Sequence, residues 1–86
     1  MSKNIIIIYT LENCTKCILL KNFLRDNNIL FEEKNMLDIE SLTELAYNNI
    51  FTNIAPILQI KNNFYTSELL FNNDSINKEL ILNKVI

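Results

Sequence analysis

Ile5-Ile6-Ile7-Ile8-Tyr9-Thr10-Leu11-Glu12-Asn13-Cys14-Thr15-Lys16-Cys17 decides how this chain folds. A short, continuous, β-branched run predicts a strand over residues 4–9, buried on both faces. Thr10 to Asn13 reads as a loop, with Asn13 as a candidate helix N-cap. From Cys14 or Thr15 to Asp26 the pattern turns helical, and Leu19, Leu20, Phe23 and Leu24 would pack on a sheet. The only two cysteines therefore stand where a strand hands over to a helix, two residues apart.

Outward from there the elements alternate. Asn27-Asn28 ends the first helix, and residues 29–34 read as a second strand, parallel to the first through a right-handed helical crossover. Asp38 caps a second helix over about residues 39–49, with Leu42, Leu45, Ala46 and Ile50 as its inner face. Pro56, the one proline, precedes a third strand over residues 57–60. Lys61-Asn62-Asn63 reads as a hairpin turn with asparagine at the demanding positions, and Phe64-Tyr65-Thr66 as a fourth, antiparallel strand. The remainder is helical in part, capped at Asp74 or Ser75, with Ile76, Leu80, Ile81 and Val85 setting the period. The expected class is α/β, a single domain over residues 1–86. The order is β-α-β-α-β-β-α, a four-stranded mixed sheet flanked by helices.

Composition narrows the function. The chain has 86 residues, 49% of them hydrophobic, and a net charge of −2. That suffices for one core. No basic block marks a nucleic-acid surface, and no apolar run is long enough to span a membrane. The amino-terminal residues lack a signal-peptide pattern, so a cytoplasmic protein is expected. There, paired cysteines serve catalysis or metal binding more often than stapling. Glycine is absent. Asparagine pairs at 27-28, 48-49, 62-63 and 72-73 take the turns, since asparagine tolerates the left-handed region.

A Cys-x-x-Cys pair at a strand-to-helix junction suits thiol–disulfide exchange. Cys14 would meet unpaired N–H groups and the positive end of the helix dipole, both of which favour thiolate. Lys16 would add positive charge if turned toward the sulfur, and Glu12 would oppose it. Comparable sites bring a thiol from about 8.5 down to about 3.5–7.5. Cys17, one turn further in, would keep its proton and resolve the mixed disulfide formed at Cys14. Zinc wants four ligands. With no histidine and no third cysteine, a monomeric zinc site would need two carboxylates, an unusual set beside thiolates, and the other route is a dimer sharing four cysteines or bridging an iron–sulfur cluster. That alternative stays open, and no metal ligand is assigned.

Nearly the whole chain resembles the glutaredoxins, within the thioredoxin fold. Tyr9 stands where that family has an aromatic residue ending its first strand. Cys14-Thr15-Lys16-Cys17 matches Cys-Pro-Tyr-Cys, and Lys21 and Leu24 match its Ala-Lys-x-Leu-Leu helix. Phe31-Glu32-Glu33 looks like its second strand, and Ala55-Pro56 matches its Val-Pro dipeptide. The resemblance implies a cis Pro56 facing the active site. It implies Ala55 backbone groups presented to an extended substrate, and Tyr9 and Lys16 beside it. It also implies glutathione as co-substrate with no bound cofactor, and disulfide-containing or glutathionylated proteins as partners, the chain acting as a monomer. Departures are Thr15-Lys16 for Pro-Tyr, Ile54 for the threonine before Val-Pro, and Tyr65-Thr66 for the Gly-Gly turn. Leu11 stands for the upstream lysine. Glu68 lies near the aspartate that helps hold glutathione, whose own place Leu69 takes. These keep open a thioredoxin-like electron donor recharged by a flavin reductase, with ribonucleotide reductase as a candidate recipient.

Overall fold

The isoleucine run becomes the second strand of a four-stranded sheet, paired on both sides. A computed structural model describes residues 5–85. Asn4, expected to open the first strand, and Ile86 lie outside the described residues. Strand β1 (Ile6–Thr10) runs parallel to β2 (Glu32–Asn35) and antiparallel to β3 (Ile57–Ile60). Strand β4 (Asn63–Tyr65) lies antiparallel outside β3, so the sheet order is β2-β1-β3-β4. Helix α1 (Thr15–Asp26) makes the crossover from β1 to β2, and α2 (Ile39–Tyr47) joins β2 to β3. A short helix α3 (Ser67–Leu70), a small hairpin of β5 (Phe71–Asn72) and β6 (Ser75–Ile76), and helix α4 (Lys78–Val85) complete the chain.

Strand alternation divides the core. Ile6 and Ile8 of β1 join Leu20, Leu24, Leu58, Leu70 and Ile81 in one apolar cluster. Ile7 and Tyr9 join Cys17, Met36, Leu45, Ala55 and Ile57 in the other. The second cluster reaches the cysteines, so the sheet's packing holds the helix start in place. Ile8 is fully buried and paired on both sides, with Glu33 and with Leu58. Ile8→Ala therefore costs about 2–5 kcal/mol of unfolding free energy. Leu30→Ala, at a side chain 89% exposed, changes stability by less than about 0.5 kcal/mol. Urea titration of both variants checks this, and equal costs would refute the assigned core.

Several expected boundaries shift, each for a local reason. The second strand begins at Glu32, not residue 29. Asn28 turns left-handed (φ 57°) and Ile29 N–H closes back on Leu24 C=O at 2.9 Å, so residues 29–31 complete the helix exit. The fourth strand is Asn63–Tyr65, which frees Thr66 to start α3. Asn28, Asn49 and Asn73 take positive φ as expected, but in the hairpin Lys61 does so instead of an asparagine. Gln59 Nε2 donates to Lys61 C=O at 2.9 Å and steadies that turn.

Helix α2 ends at Tyr47, and it buries Ser41 and Leu45, whereas Leu42 and Ala46 are exposed. The small Ser41 lets the helix settle one residue round from the face hydrophobicity alone suggests. Asp38 holds the N-cap position without a side-chain hydrogen bond. Neither Asp74 nor Ser75 caps the last helix. Asp74 sits in the turn between β5 and β6, and Asn77 caps α4, its Oδ1 accepting from Leu80 N–H at 3.3 Å.

Candidate active site

Asn13 does not cap α1. It takes a left-handed turn (φ 56°) and delivers Cys14 to the N-cap position. There Cys14 Sγ accepts a hydrogen bond from Cys17 N–H at 3.1 Å, the contact an N-cap oxygen ordinarily makes. Ile18 N–H closes the first helical bond onto Cys14 C=O at 3.2 Å. Cys14 and Cys17 are joined as a disulfide, with Cα atoms 5.2 Å apart. The two sulfurs are unequal. Cys14 is half-buried, while Cys17 is 2% exposed. An incoming thiol or disulfide reaches Cys14 first.

The Ala55-Pro56 peptide is cis, and both residues are buried just before β3. Ala55 shares the apolar cluster of Cys17, against which Cys14 also packs. The structure thus brings Cys14, Cys17, Ala55 and Pro56 to one end of the sheet.

Tyr9 proves to be a core residue, and Lys16 is turned away from the sulfurs. Tyr9 is fully buried, its ring stacks on Phe64 at 6.4 Å, and its hydroxyl donates to Gln59 Oε1 at 2.6 Å. Burial above all, then the nearby Glu44 and Glu32 carboxylates, pushes its phenol above the ordinary value. It is a core residue with a satisfied hydroxyl and offers no wall to a substrate. Lys16 turns from the sulfurs to the Phe71 ring, its Nζ 5.3 Å from the centroid. A shallow groove of about 360 Å³ lies there, lined by Lys16, Ile54, Ser67, Glu68, Phe71 and Asn73.

On the β2 side, a depression of about 510 Å³ is lined by both cysteines together with Thr10, Lys21, Glu33 and Asn35 among others. Glu33 Oε2 accepts from Thr10 Oγ1 at 2.8 Å and from Lys21 Nζ at 3.0 Å. Those two hydrogen bonds, Thr10's first, hold the Glu33 carboxyl below the usual carboxylate range. Glu33 looks merely solvated in the sequence. The signal was faint: Lys21 follows Cys17 by four residues on one helix, and Glu33 lies on the strand expected to run beside β1. Where the resemblance expects a glycine turn, Thr66 instead starts α3, with Ser67 buried and Glu68 exposed.

No helix among the described residues is long and apolar enough to cross a membrane. No family model matches the chain, and no curated protein matches it. One solved structure that does match is a mutant of the thioredoxin-like protein BC3987. It has a TM-score of 0.71 and 22% identity, over 99% of this chain and 96% of that one. The chain therefore has a thioredoxin-like fold. The Cys14–Cys17 disulfide lies at the head of α1 within that fold.

Proposed function

We propose that the protein is a dithiol oxidoreductase of the glutaredoxin kind, reducing protein disulfides and glutathione mixed disulfides. The observation that carries this is the asymmetric pair at the helix start. A half-buried Cys14 sulfur caps α1 and is linked to a buried Cys17 sulfur one turn inside. In the reduced protein, Cys14 thiolate is favoured by the Cys17 N–H and the helix dipole. It attacks a substrate disulfide, and one substrate sulfur leaves as thiolate. Cys17 then attacks Cys14 Sγ, releases the second substrate sulfur and restores the disulfide seen here. Two electrons pass to the substrate, and two external thiols return them, leaving joined as a disulfide.

Ala55, buried beside the sulfurs, has the backbone position to pair with an extended peptide or with glutathione. The groove of Lys16, Ile54, Ser67 and Glu68 is the surface that would receive a charged end group. The setting is a reducing compartment such as the cytoplasm, with the chain acting alone on glutathionylated or disulfide-containing partners. A thioredoxin-type donor recharged by a flavin reductase is the second reading, with ribonucleotide reductase among its candidate recipients. What favours it is Thr66 standing as the N-cap of α3, where glutathione binders of this kind have a glycine turn.

The test is glutathione-coupled turnover of a small glutathione mixed disulfide. Turnover well above the uncatalysed rate supports the glutaredoxin reading. Absence of turnover, with Cys14 and Cys17 still cycling under a dithiol, replaces it with the reductase-fed donor.

A further inference from the structure

The depression on the β2 side holds charges that the dithiol cycle leaves without a task. Lys21 stands one helical turn beyond Cys17, and i, i+4 neighbours on a helix have Cβ atoms about 5–6 Å apart. Its side chain is only 20% exposed and is tied to Glu33 at 3.0 Å. Glu33 is in turn fixed by the hydroxyl of buried Thr10 at 2.8 Å. The ammonium is thus anchored from β1 and β2 in the depression that both cysteines line.

Cys17 is buried among Ile7, Tyr9, Met36, Leu45, Ala55 and Ile57. Such surroundings hold a thiol in its neutral form, yet resolution needs a thiolate. From α1 the charged group on its side is Lys21, since Lys16 is turned onto Phe71. From β2 comes Glu33 and from the loop Glu12, both lining the same depression. From β1 comes the neutral phenol of Tyr9. Helix α2, the Ala55-Pro56 segment and β3 bring apolar groups to the cluster.

We propose that Lys21, positioned by Glu33, governs how readily Cys17 loses its proton and hence how fast the mixed disulfide is resolved. This rests on the dithiol cycle above. In the step concerned, Cys17 Sγ–H gives its proton to water in the depression. The thiolate forms the bond to Cys14 Sγ as the bond from Cys14 to the substrate sulfur breaks. The electron pair leaves on the substrate thiolate, which takes a proton from water. Lys21 does not react. Its charge favours the Cys17 thiolate, and Glu33 damps that influence. Lys21 and Glu33 are positioning residues here.

The two charges must act with opposite sign, and that separates this role from a purely structural salt bridge. In a Cys14→Ser background, the Cys17 thiolate is titrated by ultraviolet absorbance and by the pH dependence of alkylation. Lys21→Met removes the cation and exposes Cys17 to Glu33, raising the midpoint by about one pH unit, while Lys21→Arg keeps it near the parent. Glu33→Gln leaves Lys21 unopposed and lowers the midpoint by about half a unit. No upward shift in Lys21→Met, or no downward shift in Glu33→Gln, overturns the proposal. Circular dichroism confirms that each variant is folded. The titration uses no disulfide substrate. A failed dithiol cycle would show separately, as a wild-type protein that reduces nothing.

Discussion

Cys14→Ser lowers disulfide reduction by about a thousandfold or more, to the uncatalysed background. The thiolate is the nucleophile in exchange, and a serine hydroxyl at the same place forms no mixed disulfide. The fold should survive the change. Serine is a good N-cap, and its oxygen can take the Cys17 N–H bond that the sulfur now accepts. The loss then belongs to chemistry and not to stability. Assay of dithiol-driven reduction of a protein disulfide, with a thermal melt on the same samples, checks both parts. A variant that melts like the parent yet still turns over would move the nucleophile away from Cys14.

Cys17→Ser has a different signature. Attack by Cys14 proceeds, but nothing inside the protein displaces the substrate. The mixed disulfide therefore accumulates, and protein-disulfide reduction stalls after one event per molecule. Intact-protein mass spectrometry after mixing with a protein disulfide shows a covalent adduct in near-stoichiometric yield. A small glutathione mixed disulfide is affected less, because free glutathione can resolve the adduct from outside. Cys17 is buried while Cys14 is half-buried, and the proposed division of roles rests on this order of exposure. An adduct at Cys17 in the Cys14→Ser protein, matching the one at Cys14 in yield, would reverse the assignment.

Much of the fold, and the place of the cysteine pair in it, was legible in the sequence because its signals are local. The β-branched run from Ile5 to Ile8, the Cys-x-x-Cys after it and the apolar positions of α1 lie within a short stretch. Strand, loop and helix there agree with one another. Pro56 stood out as the lone proline before a strand.

The errors fall where the outcome depends on distant residues. Tyr9 became core because Phe64 and Gln59, across β3 and β4, supply a ring to stack on and an acceptor for its hydroxyl. Lys16 left the sulfurs for Phe71, which the β5–β6 hairpin carries to it. Helix α2 is turned onto Ser41 and Leu45, a choice made by packing that hydrophobic period does not resolve. The Thr10–Glu33–Lys21 chain of contacts depends on strand register, with Ile8 beside Glu33 and Thr10 beside Asn35. A single sequence does not print that register.

The central claim is that the Cys14–Cys17 pair cycles between disulfide and dithiol to move electrons into protein disulfides. The most direct measurement follows dithiothreitol-driven reduction of insulin with wild-type protein, counting alkylated cysteines by mass spectrometry in the same time course. The expected result is an acceleration of insulin reduction over dithiothreitol alone, with Cys14 and Cys17 passing together between zero and two alkylated thiols. Insulin reduced no faster than by dithiothreitol alone, with both thiols fully alkylated throughout, would contradict it.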